Sequence, residues 1–138
     1  MDGDYQIVYL DKPEWGMIGG GINDYNTLQV GQSSEQNLCF VLQGRDQEIV
    51  AGVIGATYWG WLYINLMWVK DEFRSCGHGH RLLRRAEDEA RERGAKHVYL
   101  DTFSFQAPAF YKKQGYQVFG ELKDFPPGHQ RYFLTKDL

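Results

Sequence analysis

The stretch from Trp61 to Phe103 constrains this chain more than any other, because its hydrophobic period changes twice. Trp61 to Val69 reads as a strand. Gly79 to Arg93 then reads as a helix, with Leu82, Leu83, Ala86 and Ala90 on one side. His97 to Phe103 alternates as a strand again. Strand, helix and strand in that order make a parallel crossover, since two parallel strands cannot be joined by a tight turn. The segments around it read as antiparallel. Leu38 to Leu42 and Glu48 to Tyr58 are strands separated by the turn Gly44-Arg45-Asp46-Gln47. Gly60 turns the chain into Trp61, completing a three-strand meander. Tyr116 to Leu122 and Arg131 to Leu134 are strands around Pro126-Pro127-Gly128. The expected fold class is α+β, with a mixed, mostly antiparallel sheet flanked by helices.

The helices carry end signals. Gly94 follows Arg93 as a C-terminal cap. Opposite charges four apart should support the long helix: Arg84 with Asp88, Arg85 with Glu89, and Glu87 with Arg91. Ala107 to Gln114 is a short helix, with Pro108 in its first turn and Gly115 just past its end. The N-terminal segment is less regular. Tyr5 to Leu10 reads as a strand, and Pro13 can open a helix. From Glu14 to Val30, Met17, Ile18, Ile22, Tyr25 and Leu28 fall near helical spacing. Gly19-Gly20-Gly21 interrupts them, at about 1 kcal/mol per glycine relative to alanine. A weak helix, or two short ones, is expected there.

A length of 138 residues without repeat, low-complexity tract or linker suits one domain, residues 1–138. No apolar run approaches the roughly 20 residues that span a bilayer, and the acidic start does not resemble a secretory signal. Cys39 and Cys76 are the only cysteines, too few for a disulfide framework, so a reducing cytoplasm is the expected location. A net charge of −3 argues against nucleic acid as the main partner. Four Trp, nine Tyr and eight Phe can fill a core, line a pocket or make a subunit contact.

The segment between the strand ending at Val69 and the following helix carries the chemistry. Gly77 and Gly79 let the backbone come close to a ligand. The first N–H groups of the helix have no internal partner and carry partial positive charge. Arg74 adds a full charge, and together these groups suit a diphosphate. The segment is not a P-loop, because no Gly-Lys-Ser/Thr follows. The spacing of the dinucleotide fingerprint is also absent. His78-Gly79-His80 lacks the ligand face and companion residues of a metal site, so no metal is expected.

Arg74-x-x-Gly77-x-Gly79 between strand and helix resembles the acetyl-CoA motif of the GNAT superfamily, the Gcn5-related N-acetyltransferases. That motif reads Arg/Gln-x-x-Gly-x-Gly/Ala. The family's second element, an Ala, an aromatic-Tyr pair and then Gly-Phe or Gly-Tyr, is matched by Ala107-Pro-Ala-Phe110-Tyr111-Lys-Lys-Gln-Gly115-Tyr116. The likeness covers nearly the whole chain and is weakest before Leu38. The tract Leu100-Asp-Thr-Phe-Ser-Phe-Gln-Ala107, with Gly128-His129, is similar to a subgroup of small bacterial single-domain members.

The resemblance implies a sheet whose central parallel strands, Trp61–Val69 and His97–Phe103, splay apart. The pantetheine arm of acetyl-CoA would lie in that gap, bonded to backbone around Met67, Trp68 and Val69. The diphosphate would meet the N–H groups of Arg74, Ser75, Cys76, Gly77, His78, Gly79 and His80. An amide near Met67 could hold the thioester oxygen as it becomes negative. Ser104 and Ala107 fall beside the cofactor arm. Ser104 stands where many members carry Asn, seven residues before Tyr111, and its hydroxyl has a shorter reach. Tyr111 occupies the general-acid position, where a phenol can protonate the departing thiolate.

The activity implied is transfer of an acetyl group from acetyl-CoA to an amine by direct attack, with no covalent role for Cys76. A coenzyme A-binding sensor without chemistry is the alternative. The acceptor is a small-molecule or peptide amine, with no nucleic-acid or membrane partner, and a homodimer is allowed. Tyr25, Asn26, Trp61 and Tyr63 are candidate acceptor contacts. Many members carry a Glu on the Trp61–Val69 strand, but this chain has Tyr63 and Asn65 there. Asp101 is the nearest acid by sequence, and a hydrogen-bonded strand-end Asp is an equally good reading of it. The base is unassigned.

Overall fold

Among the described residues, alternation at period two produces six strands, and the helical stretches at His78–Glu92 and Pro108–Lys113 pack on one side of them. The computed structural model describes residues 2–138. It divides into two units, one ending at Ser33 and the other running from Ser34 to Leu138. The first holds helix α1 (Trp15–Val30). The second holds β1 (Gln36–Gln43), β2 (Ile49–Tyr58), β3 (Trp61–Val69), α2 (His78–Glu92), β4 (His97–Phe103), α3 (Pro108–Lys113), β5 (Gln117–Lys123) and β6 (Gln130–Asp137). The sheet order is β1-β2-β3-β4-β6-β5, with only β3 and β4 parallel. This is the mixed, mostly antiparallel α+β layout expected from the sequence.

Strand β4 shows how the sheet acquires two faces. Val98, Leu100 and Thr102 are buried, whereas Tyr99, Asp101 and Phe103 between them are half-buried. The buried side joins Leu38, Val53, Leu62, Ile64 and Leu134 of the sheet to Leu82, Leu83, Ala86 and Ala90 of α2 and Tyr111 of α3. Burying one such Leu contributes about 1.5–3 kcal/mol. At Gly94 the chain adopts φ +88° and α2 stops, with the Ala95 amide donating to the Ala90 carbonyl.

Several expectations need correction. Tyr5–Leu10 is not a strand. Its alternation is strand-like, but a strand exists only where a neighbour takes up its N–H and C=O groups. Helix α1 is one continuous helix through Gly19, Gly20 and Gly21. Glycine lowers helix stability without barring helical backbone, and Pro13 lies ahead of the N-cap Glu14 rather than in the first turn. The foreseen i,i+4 pairs on α2 do not form. Asp88 pairs with Arg91, Glu89 with Arg93, and the Arg85 guanidinium sits 4.8 Å over the Phe40 ring. Glu87 is buried, taking Tyr116 Oη at 2.6 Å and Lys136 Nζ at 3.1 Å.

Candidate active site

Strands β3 and β4 begin as partners and then separate. Their pairing runs from Trp61 opposite His97 to Ile64 opposite Leu100 and ends there. Beyond that point Leu66–Val69 stays on β2, while Asp101–Phe103 stays on β6. The β2–β3 register shifts at the same place. Ile54 faces Leu66 but Gly55 faces Ile64, leaving Asn65 as a bulge. A bulge bends its strand and adds twist, which accounts for β3 leaving β4 here. Gly55 permits the bend, because a Cβ there would lie 2.4 Å from the Tyr63 carbonyl oxygen. The result is a fork whose inner edges carry backbone groups of Met67, Trp68 and Val69 on one prong and Asp101–Phe103 on the other.

The loop from β3 to α2 closes one end of the fork. Ser75 at φ +63° and Gly77 at φ +84° both hold left-handed backbone, a conformation that gathers successive N–H groups into an anion-binding hollow. No side chain caps the N-terminus of α2, so the amides of His78, Gly79 and His80 remain available to an acceptor. The His78 Nδ1 atom is buried without a partner. Open amides and an orphaned buried nitrogen fit a polyanionic ligand such as the diphosphate of coenzyme A. Arg74 does more than supply charge. Its Nε donates to the Val69 carbonyl at 2.9 Å and its Nη1 to Asp71 at 2.9 Å, fastening the loop to the end of β3. His80 Nδ1 and Gln114 Oε1 are hydrogen-bonded, tying α2 to α3. Gly79 faces the Phe110 ring at 3.4 Å from a would-be Cβ, so it also serves helix packing. Cys76 is exposed, its Sγ 3.5 Å from the Arg74 carbonyl.

Helix α3 brings Tyr111 into the core with 7 % exposure, its ring edge-on to Phe110 at 5.2 Å and to Tyr116 at 5.8 Å. Burial, and then the negative charge of Asp101, push its phenol up to about 12. The phenol therefore stays protonated across any physiological pH, which is the state a proton donor needs. Ala107 caps α3, and its amide donates to Thr102 Oγ1 at 3.4 Å. The Ser104 hydroxyl oxygen accepts the Gln130 amide at 3.0 Å, so β6 already uses the side chain that stands in for the family's Asn.

The open face of the sheet carries an aromatic and charged cluster at the fork. Tyr63 and Tyr99 stack at 4.7 Å, and Trp61 meets Tyr99 edge-on at 5.9 Å. The Tyr99 hydroxyl is hydrogen-bonded to that of Tyr58. Burial, followed by the charge of Asp101, raises the Tyr63 phenol above its ordinary value. One Asp101 oxygen accepts Nε and Nη2 of Arg131 at 2.9 and 2.8 Å; the other accepts the Tyr63 hydroxyl at 3.4 Å. The Arg131 guanidinium lies 5.2–5.5 Å from the rings of Phe103, Phe125 and Phe133. A cavity of about 340 Å³ opens between Trp61, Tyr99, Phe119 and Thr135, beside the paired end of the strands rather than in the fork. Tyr25 and Asn26 lie on α1, where Tyr25 is exposed. Sequence reasoning missed Arg131 and Tyr99. The alternation of β4 and β6, which puts 99, 101, 131 and 133 on one face, was the available signal. Among the described residues no three His, Cys, Asp or Glu side chains gather in a way that could hold a metal ion.

A split parallel pair with uncapped helix amides at its mouth fits an acyltransferase that takes acetyl-CoA as donor, and the likeness to known proteins places the chain in that class. The family model for the acetyltransferase (GNAT) family matches residues 5–116, and the chain belongs to that family. It is 40 % identical over 96 residues to the blasticidin-S acetyltransferase of Streptomyces morookaense, covering 69 % of this chain and 71 % of the relative. Identity to an acetyltransferase of Agrobacterium fabrum is 33 % over 112 residues, 81 % of this chain and 82 % of that one. The crystal structure of an acetyltransferase from Bacillus cereus superposes with a TM-score of 0.91 at 33 % identity, covering 99 % of both chains. The protein is an N-acetyltransferase, and among the described residues no helix is long and apolar enough to cross a membrane.

Proposed function

We propose that Tyr111 is the proton donor of this acetyltransferase and that the fork between β3 and β4 holds the donor's arm. Support comes from the end of β3–β4 pairing at Ile64 and Leu100, which leaves backbone groups of Met67, Trp68 and Val69 without a strand partner on that side. The amides from Arg74 to His80 bind the diphosphate, with Ser104 and Ala107 flanking the arm. Bound acetyl-CoA supplies an activated acyl carbon. The chain's groups do the rest. An amide near Met67 faces the acyl oxygen as charge builds on it. The acceptor nitrogen forms its bond to the acyl carbon, the carbon–sulfur bond breaks, and the Tyr111 phenol gives its proton to sulfur. A phenol at about 12 is a weaker acid than a thiol near 8.5. Proton release from the acetylated nitrogen must therefore restore the phenol and draw the transfer to completion.

The acceptor is read as a small-molecule amine bound on the open face, against Trp61, Tyr63 and Tyr99 with Asp101 behind them, and Tyr25 and Asn26 as further candidates. Two features support this: the aromatic wall beside a carboxylate, and the 40 % identity to an enzyme named for blasticidin-S. Two exposed thiols are consistent with a cytoplasmic location. The extensive exposed apolar surface supports a homodimer. The deciding experiment uses Tyr111→Phe with a panel of small amines and peptides, following release of free thiol. Turnover should fall about 10²-fold or more while acetyl-CoA affinity stays nearly unchanged. A loss within about twofold removes Tyr111 from the mechanism, because a general acid contributes far more than that.

A further inference from the structure

Helix α1 runs for 16 residues and buries none of its side chains. Trp15, Met17, Ile18, Ile22, Tyr25, Leu28 and Val30 are all exposed. Isolated helices shorter than about 12–15 residues are marginal in water even when rich in alanine, and α1 barely exceeds that length. This one contains Gly16, Gly19, Gly20 and Gly21, each costing about 1 kcal/mol against alanine. Its apolar residues are not confined to one stripe, a pattern that suits a helix covered on more than one side. The segment ahead of it repeats the problem. Tyr5, Ile7, Val8, Tyr9 and Leu10 are exposed, Ile7 fully, in a stretch with strand-like alternation and no secondary structure.

The sheet presents the matching half. β1 is an edge strand, and its sequence Gln36-Asn-Leu-Cys-Phe-Val-Leu-Gln43 contains no charge and no proline. Edge strands are normally blunted by charges, prolines or bulges, because their free N–H and C=O groups recruit other strands. The opposite edge, β5, is blunted in this way: it carries Glu121, Lys123 and a bulge near Phe119. On the open face, Val41, Ile54, Leu66 and Trp68 are exposed with no helix of their own unit over them.

We infer that the N-terminal arm, residues 5–30, docks on the sheet of a second copy of this chain, with Tyr5–Leu10 adding a strand beside the partner's β1 and α1 lying against its open face. The inference rests on the homodimer reading above and names its interface. Both halves belong to the same chain, so a second copy supplies both at once, and reciprocal docking closes the assembly with two-fold symmetry. The area suffices. Tyr5, Tyr9, Trp15 and Tyr25 can bury about 150–250 Å² each, which approaches the roughly 800 Å² per partner of a stable interface before any aliphatic residue is added. Tyr25 and Asn26 then reach the acceptor side of the partner's sheet. Turnover depends on association; coenzyme A binding, made by residues 67–80, does not.

The test uses the full chain and its I18E/I22E variant, in sedimentation, coenzyme A titration and turnover. The wild-type chain should sediment as a dimer. The variant should dissociate at concentrations on the order of 10²-fold higher than wild type, keep its coenzyme A affinity and lose acceptor turnover. Hydrogen exchange on the wild-type chain gives a second readout that needs no variant. Amides of residues 6–10 and of β1 should become protected as protein concentration rises. A wild-type chain that stays monomeric overturns the homodimer reading and this interface with it. A dimer that tolerates I18E/I22E, or whose residues 6–10 exchange equally at all concentrations, overturns the arm alone. A monomeric variant with full turnover removes the shared acceptor site.

Discussion

Among single residues, Tyr111 and Cys76 separate most cleanly. Tyr111 is buried and held protonated, and Cys76 is exposed on the loop with its sulfur beside a carbonyl. Cys76→Ala should leave turnover within about twofold of wild type, because direct attack uses no thiol. Loss of turnover, or a trapped acetyl-thioester at Cys76, would point instead to a covalent route. Glu87 makes the opposite kind of statement. Its carboxylate is buried, and both oxygens are satisfied by Tyr116 and Lys136. Removing one partner of a buried pair strands the other charge, at about 3–5 kcal/mol. Lys136→Met should therefore lower the urea midpoint steeply while leaving coenzyme A binding to the surviving folded fraction intact. A midpoint unchanged from wild type would mean the pair contributes nothing.

At the level of elements, the proposed donor site is the fork, and Gly55 lies where its bend is made. A Cβ at this position would meet the Tyr63 carbonyl oxygen at 2.4 Å. That neighbour is backbone, so relief requires β3 to move. Gly55→Ala should cost about 1–3 kcal/mol, the range for overpacking a core, and weaken coenzyme A binding through the displaced bulge; unchanged thermal stability and affinity would show that the bulge adapts. The sequence discloses this region unevenly. Strand boundaries, the crossover and the buried stripe of α2 follow from period alone, since side chains at spacing two or 3.6 must share a face. The splay came from family resemblance, and the bulge at Asn65 is invisible without register, because it is defined by the residue opposite it. The α2 ion pairs differ from those the charge spacing suggests for a related reason. Charge spacing identifies possible partners on one helix, but Glu87 found better ones on β5's approach and β6. Residues 5–10 form no strand despite their alternation, because a strand pattern says nothing about whether a neighbour is present.

Across the whole molecule, four phenols are shifted in the same direction. Tyr111 is raised to about 12, and Tyr63, Tyr99 and Tyr116 are raised above 10.0 as well, burial being the first cause in every case. The folded chain therefore binds these protons more tightly than the unfolded chain does. The resulting stabilisation is fully present below pH 10, the unfolded value, and is lost as pH climbs from there through the folded values. For Tyr111, the most completely assigned of the four, a rise from 10.0 to about 12 corresponds to roughly 3 kcal/mol. Urea unfolding should give a stability that is level across the phenol-silent range up to pH 9 and falls steadily above pH 10. Tyr111→Phe assigns the slope: it removes one of these phenols and should make the decline above pH 10 shallower. The same group predicts a catalytic profile with no loss of proton donor up to pH 10. A fall in kcat centred below that value and abolished by Tyr111→Phe would mean that burial does not hold the phenol as the fold requires, and the proton donor would have to be sought elsewhere on the fork.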